Sequence, residues 1–174
     1  MSYWYLLKMC YSIPVCMALE MPLFFIPGFL LRWRVLDPQL RATEGSILAA
    51  CVATKLGWAV NLSGGYHHSS FNSGGGFCLY PDISLVVHYL RTRLGLRRIM
   101  IVDLDAHQGN GYERDHINDP ECFIVDAYNH GVYPGDSEAK AAISRDIRVH
   151  MGTSDQEYTD LVRSIAGDMD CFKP

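Results

Sequence analysis

The run Ile99-Met100-Ile101-Val102 is apolar at every position and breaks abruptly into Asp103-Leu104-Asp105-Ala106-His107. A strand with one wet face alternates apolar and polar residues. A strand with no polar position is covered on both faces, as in a parallel sheet held between two layers of helices. Cys122–Val125 repeats the pattern and ends at Asp126, and Trp58–Leu62 reads as a shorter buried strand ending in Ser63-Gly64-Gly65-Tyr66-His67-His68. Helical segments separate these runs. Thr43 can cap a helix through Leu56 that stops at Gly57. Asp82 can cap a second, with Ile83, Val86, Val87, Leu90 and Leu94 on one face and Gly95 at its end. Ser154 and Glu157 form a capping box for a third, whose apolar face is Tyr158, Leu161, Val162 and Ile165, with Gly167 as its stop. The alternation predicts an α/β fold with a mainly parallel sheet. In such sheets the working residues gather past the carboxyl ends of the strands, and here three strand ends bring ionisable residues to one rim.

Bulk properties narrow the function. The chain has 174 residues, room for one domain, and a net charge of −4. Direct nucleic-acid binding is not expected from that balance, whereas a lysine-rich partner would not be repelled. The six cysteines are scattered with no C-x-x-C pair, so they read as reduced thiols rather than a zinc ribbon or a disulfide framework. The first thirty residues are very apolar, but Lys8, Pro14, Glu20, Pro22 and Pro27 interrupt them. No uncharged run reaches the ~18 residues of a membrane span, and no basic stretch precedes an apolar core as in a signal peptide. A buried strand is expected near Leu23–Ile26.

At the rim, Asp103, Asp105 and His107 are spaced i, i+2, i+4, so an extended backbone projects all three to one side. Asp105 and His107 can then grip one metal ion through a carboxylate oxygen and an imidazole nitrogen, a mixed set that suits Zn²⁺ and also Fe²⁺ or Mn²⁺. A calcium loop fails here, because its sixth position is Gln108 and its twelfth is Arg114. His67 and His68, beyond a glycine pair, suit proton transfer near neutral pH, and Asp103 and Asn110 are placed to fix their tautomers. Asp126, at the next strand end, is the candidate third metal ligand on this reading. In Ser73-Gly74-Gly75-Gly76-Phe77-Cys78 the glycines let backbone approach a ligand closely and Phe77 can wall an apolar channel. No phosphate-loop lysine accompanies them.

Taken together, Gly65-Tyr66-His67-His68, Gly74-Gly75-Gly76-Phe77-Cys78 and Ile101 through Gly111, with Tyr128-Asn129 and Tyr133-Pro134-Gly135-Asp136 downstream, resemble the zinc-dependent histone deacetylase family, most closely its class IV branch. The resemblance implies a three-layer arginase/deacetylase-like fold and hydrolysis of acyl-lysine amides on histones or other proteins. His68 then stands as general base, His67 as its partner tuned by Asp103, and Asn110 where many relatives carry Asp. Asp105 and His107 match two zinc ligands, and Gly76 and Phe77 match the acyl-lysine tunnel wall. Asp126 falls, with the backbone of Asp103, Asp105 and His107, at a structural monovalent-cation (K⁺) site, in competition with its reading as a zinc ligand. The family's third zinc ligand and oxyanion tyrosine have no counterpart in the chain. The expected organisation is a lead-in over 1–22, a partial catalytic domain over 23–167, incomplete at its C-terminal end, and a divergent tail over 168–174. Residence in the nucleus, with the cytoplasm as alternative, is implied by the family alone. Two other classes compete: a catalytically incomplete interaction module, and a manganese hydrolase of the arginase type, for which the rim offers too few aspartates.

Overall fold

A computed structural model describes residues 26–174. The chain enters through a short helix α1 (Gly28–Leu31), widens into a π-helical stretch over Arg32–Leu36, and continues without a break as α2 (Asp37–Leu56). The helical path therefore starts well before Thr43. Pro38 stands in the first turn of α2, directly after the widened stretch, and has no N–H to donate back into it. Thr43 is buried inside the helix and donates its hydroxyl to the Gln39 carbonyl at 2.9 Å instead of capping. Gly57, left-handed at φ 90°, is the stop expected of it.

The segment expected as the strand Trp58–Leu62 is not a strand. Trp58, Val60 and Leu62 are exposed, the last at 98%, and no strand among the described residues takes up its backbone. What fixes it is a side chain: Asn61 donates to the Ala42 carbonyl and to Ser46 Oγ, tying the loop to α2. A long irregular connection carries His67, His68 and the glycine run to α3 (Asp82–Leu94), which packs against α2 and ends at Gly95 as expected.

The sheet is β1 (Ile99–Asp103), β2 (Cys122–Asn129) and β3 (Arg145–Val149), all parallel and in the order β1-β2-β3. The short helix α4 (Asn110–Asp115) connects β1 to β2, and a 3₁₀ turn over Ala139–Ala142 precedes β3. α5 (Asp155–Phe172) follows, opened by the Ser154–Glu157 capping box with both of its hydrogen bonds in place. Gly167 does not close α5. The helix runs on to Phe172, whose ring packs 5.1 Å from Phe123 and lies under the Arg98 guanidinium at 4.4 Å.

Two apolar clusters lie on opposite faces of the sheet. Val125, Ala127 and Ile147 meet Ile165 of α5, with Phe123, Tyr158, Leu161 and Val162 around them. Cys122 and Ile124 meet Tyr112 of α4, with Ile83 of α3 beside them. Successive β2 side chains alternate between these layers, which makes β2 the buried centre of a three-layer α/β unit. β1 is less buried than its sequence suggests, because within the described residues it is an edge strand, and Val102 is 42% exposed. β3 carries Arg145, Asp146 and Arg148 around the buried Ile147, and this charge hid it from the apolar-run criterion. Of the expected strand at Leu23–Ile26, all but Ile26 lies outside the described residues; Ile26 is exposed at a bend. The four cysteines among the described residues are free thiols, and no helix there is long and apolar enough to cross a membrane.

Candidate metal and catalytic site

The site forms where the β1 end, the start of α4 and the long 57–81 connection meet. Parallel pairing of β1 with β2 sets Asp103 opposite Asp126. Past Asp103 the backbone turns on its own side chains: Asp103 Oδ1 accepts from the Asp105 amide at 3.0 Å, and Asp105 Oδ1 accepts from the His107 amide at 2.8 Å. The histidine pair reaches this rim by a close backbone crossing. The Gly111 amide donates to the His67 carbonyl at 2.8 Å, and a Cβ on Gly111 would lie 2.5 Å from the backbone of His68 and Ser69. Only glycine permits that approach.

Two histidine dyads result. His67 Nδ1 is 2.8 Å from Asp103 Oδ2, which also accepts from the buried Tyr112 hydroxyl at 3.1 Å. His68 Nδ1 is 2.8 Å from Asn110 Oδ1. The two rings lie 4.1 Å apart, and His67 Nε2 points toward Asp105 Oδ1 at 3.8 Å. His107 completes the group, its Nδ1 3.1 Å from Asp105 Oδ1 and its ring 6.0 Å from that of His68. His67, His68, Asp103, Asp105, His107 and Asn110, spread over two distant segments of the sequence, are thus brought to one point.

The surroundings separate the two histidines electrically. Burial opposes protonation of His67, but the hydrogen bond and charge of Asp103 outweigh it and raise its pKa. Burial also opposes protonation of His68, and there it prevails, because the neighbouring His67 and His107 add to it and Asn110 offers no charge. Asp105 is held below the usual carboxylate range: partial burial pushes it up, and the His107 amide with the charges of His67 and His107 pulls it down by more.

Gly76 lies flat against His68, and a Cβ there would fall 2.2 Å from His68 Cδ2. Phe77 follows with an exposed ring and a left-handed backbone at φ 65°, its carbonyl held by Gln39 Nε2 at 2.9 Å. Tyr133, to which sequence reasoning assigns no role, stacks edge-on against both His68 (5.0 Å) and His107 (6.2 Å). The Tyr133-Pro134-Gly135-Asp136 stretch is its signal. Asp82 is a second functional residue that sequence reasoning misses. Instead of capping α3 through its side chain, it accepts from the Gly65 and Tyr66 amides just ahead of the histidines.

Asp126 does not join Asp105 and His107. It is fully buried beneath the α4 entry, with Oδ2 accepting from the Gly109 amide at 2.9 Å. Its other oxygen faces Glu113, and neither Asp126 Oδ1 nor Glu113 Oε1 meets a hydrogen-bond donor. Burial, then the adjoining Glu113, pushes the Asp126 carboxyl up to about 9. That placement sets aside Asp126 as third ligand beside Asp105. The two orphaned oxygens fit a shared proton or a monovalent cation.

The Asp105–His107 pair fits a metal by its donor set. Two ligands about 2.0–2.2 Å from a tetrahedral zinc stand about 3.3–3.6 Å apart, a few tenths of an ångström more than the 3.1 Å between His107 Nδ1 and Asp105 Oδ1. A second group, His116, Asp119 and Cys122, brings ligand atoms within 4.8 Å of one another. It does not fit. Arg91 binds Asp119 through both terminal nitrogens, at 2.6 and 3.1 Å. Burial pushes the Cys122 thiol up to about 12, far from the thiolate a metal requires. Here the guanidinium supplies the positive charge.

Comparison with known proteins places the sequence and the fold. A profile of the histone deacetylase domain matches residues 33–174. The chain is 47% identical over 137 residues to histone deacetylase 2 of Arabidopsis thaliana, a match covering 79% of this chain and 35% of that protein. It is 34% identical over 94 residues to histone deacetylase 9 of Homo sapiens, covering 51% of this chain and 9% of that one. In fold it is similar to a crystal structure of an HDAC homolog from Aquifex aeolicus. The TM-score is 0.67 at 23% identity, covering 79% of this chain and 40% of the other. The chain thus spans about a third of the Arabidopsis protein and two fifths of the Aquifex chain. By the profile match, the shared sequence and the three-layer fold, the chain belongs to the histone deacetylase family.

Proposed function

We propose that the site carries out zinc-assisted hydrolysis of the acyl-lysine amide on histones or other proteins. The observation that carries this reading is the meeting of the Asp105–His107 donor pair with two histidines, each tied at Nδ1 to a different partner, a carboxylate for His67 and an amide for His68. Asp105 and His107 would hold the zinc, which when bound supplies Lewis-acid polarisation of the scissile carbonyl and of water. His68 is suited to be the general base: burial favours its neutral form, and with Nδ1 engaged by Asn110 its Nε2 is the free acceptor for a proton from the attacking water. His67 holds a proton more readily through Asp103, and its Nε2 stands 3.8 Å from Asp105 Oδ1. Gly76, Phe77 and Tyr133 would flank the lysine stem. Asp126, with the backbone of Asp103, Asp105 and His107, is the proposed K⁺ site. The catalytic unit is taken as 23–167, acting in the nucleus or the cytoplasm.

The test is to purify the protein, measure its zinc, strip the metal and assay acyl-lysine release. Activity should vanish on stripping and return with zinc, and His68→Ala should lower kcat by about 10²–10⁴-fold. Undiminished turnover by metal-free protein refutes the reading.

One observation favours a second reading, a catalytically incomplete interaction module: catalytic zinc calls for three protein ligands, and the described rim brings together two. Stoichiometric zinc with turnover by the 174-residue chain excludes it.

A further inference from the structure

We propose that Asp136, held by Arg114, is a positioning residue that sets which way the Asn110 amide faces and thereby which ring nitrogen of His68 carries the proton. Asn110 lies between two partners. Its Oδ1 is 2.8 Å from His68 Nδ1, and its Nδ2 donates to Asp136 Oδ2 at 3.2 Å. An amide end is chemically one-sided, since the oxygen only accepts and the nitrogen only donates. A fixed acceptor on one side therefore decides the other.

Asp136 is such an acceptor. Arg114 grips it in a fork, Nε to Oδ2 at 2.5 Å and Nη2 to Oδ1 at 2.8 Å, and the Ala139 amide donates to Oδ1 at 3.2 Å. Burial raises its pKa, but these donors outweigh burial and keep the carboxyl below the usual range, so it offers no proton. Its backbone is clamped as well: the buried Gln108 side chain donates to the Asp136 carbonyl at 2.9 Å and accepts from its amide at 3.2 Å. The carboxylate cannot swing away.

A flipped Asn110 would set its oxygen against Asp136 Oδ2, two acceptors at the 3.2 Å contact with no proton between them. In the orientation that remains, Oδ1 faces His68 and can only accept. The neutral ring then carries its hydrogen on Nδ1 and leaves Nε2 bare. An imidazole in water carries that hydrogen mostly on Nε2, so the network reverses the default. The order Arg114–Asp136–Asn110–His68 joins the α4 end to the ring. Its catalytic consequence rests on the hydrolase reading, because a bare Nε2 is what a general base needs; the hydrogen-bond order itself does not.

The experiment is ¹⁵N-histidine NMR of the full chain at pH 8, with acyl-lysine turnover measured on the same samples. The wild type should show His68 protonated at Nδ1 and bare at Nε2. In Asp136→Asn the new amide keeps its oxygen at the Oδ1 position, where Arg114 Nη2 and the Ala139 amide both donate, and gives up the Arg114 Nε bond to present its NH₂ to Asn110, which flips. The His68 signal should move to the Nε2–H form, and kcat should fall about 10–100-fold with KM within about twofold. Adding Asn110→Asp should restore both, since a carboxylate at that position accepts from the new amide and from His68 without needing a flip. A residue that merely braces the loop through Arg114 would not be rescued by that second change. Should Asp136→Asn fail to fold, Arg114→Gln releases the fork that holds the Asp136 carboxylate against Asn110, and should give a mixture of the two ring forms. An Nε2–H signal in the wild type, a signal unmoved by Asp136→Asn, or a double variant that folds without restoring the Nδ1–H form overturns the proposal. Absent turnover in a wild type whose ring forms shift as described sinks the hydrolase reading and leaves the positioning role standing.

Discussion

Replacing Asp82 with alanine tests how the histidine pair is delivered. The carboxylate is 1% exposed at the first residue of α3. Oδ1 accepts from the Tyr66 amide, and Oδ2 from the Gly65 amide and Ser46 Oγ, all at 2.7 Å. Hydrogen bonds to a charged acceptor contribute about 1.5–3 kcal/mol each, so three give a gross ~4.5–9 kcal/mol. The net must be smaller: Gly65 is exposed, so its amide regains water on truncation, and bonds sharing one carboxylate are not additive. Asp82→Ala should therefore cost about 3–4 kcal/mol, and Asp82→Asn, whose single oxygen keeps one or two of the bonds, about half that. Urea denaturation reads both, with an unchanged m-value showing that the folded state keeps its extent. Amide exchange at Gly65 and Tyr66 should accelerate in step. The loss should also reach the site, because Tyr66 directly precedes His67, so the hydrogen-bonded Nδ1 proton between His67 and Asp103 should broaden or vanish. A cost below about 1 kcal/mol, or wild-type exchange at both amides, refutes the claim that this carboxylate holds the loop.

Gly76→Ala combines a left-handed backbone with a Cβ 2.2 Å from the His68 ring. It should cost about 2–4 kcal/mol and displace His68, read as an altered His68 ¹⁵N spectrum even where the protein stays folded. Asp126 titrates near 9 when folded and near 4 when unfolded. The folded state thus binds the extra proton, and stability falls as pH rises between those values by at most about 1.4 kcal/mol per unit. Asp126→Asn lacks that slope and should gain on the wild type from pH 5 to pH 8 in urea titrations; parallel profiles would contradict the shared-proton reading. Ser154→Ala removes one half of the α5 capping box and should cost about 1 kcal/mol, measured by thermal or urea unfolding.

How much of this is legible in the sequence depends on whether the cause is local. Ile99–Val102 and the capping box are self-contained signals, and both elements form where they are read, although β1 is less buried than its apolar run implies. The D-x-D-x-H spacing places Asp103, Asp105 and His107 on one turn for the same reason, since each carboxylate there binds the amide two residues on. Trp58–Leu62 misleads because an apolar run states what a segment could pair with, not whether a neighbour is there to pair. Asp82 misleads for a related reason: a helix N-terminus and a distant glycine loop compete for one carboxylate, and the loop amides win. Asp136 falls in the Tyr133–Asp136 stretch and Arg114 in none, but neither shows its part in the sequence, because that depends on Asn110 lying between Asp136 and His68.

The two aspartates at the ends of β1 and β2 show where residue type stops being informative. Asp103 and Asp126 stand in register on neighbouring strands, each closing an apolar run. Asp103 meets three donors, the Asp105 amide, the Tyr112 hydroxyl and His67, and so orients a histidine. Asp126 meets the Gly109 amide and then a second acid, so burial drives it toward its protonated form. Pattern alone gives both the same description, an acid at the end of an apolar strand. What divides them is the donor count, and that count is set by side chains from other segments: Tyr112, Glu113 and the histidine loop. Exchanging those neighbours, rather than the aspartates themselves, should exchange their behaviour. Glu113→Gln would give Asp126 a donor in place of a competing acid, and its pKa should fall toward the ordinary carboxylate range, read by ¹³C NMR of the Asp126 carboxyl across pH 4–10. A carboxyl that still titrates near 9 in that variant would make burial alone, and not the second acid, the cause.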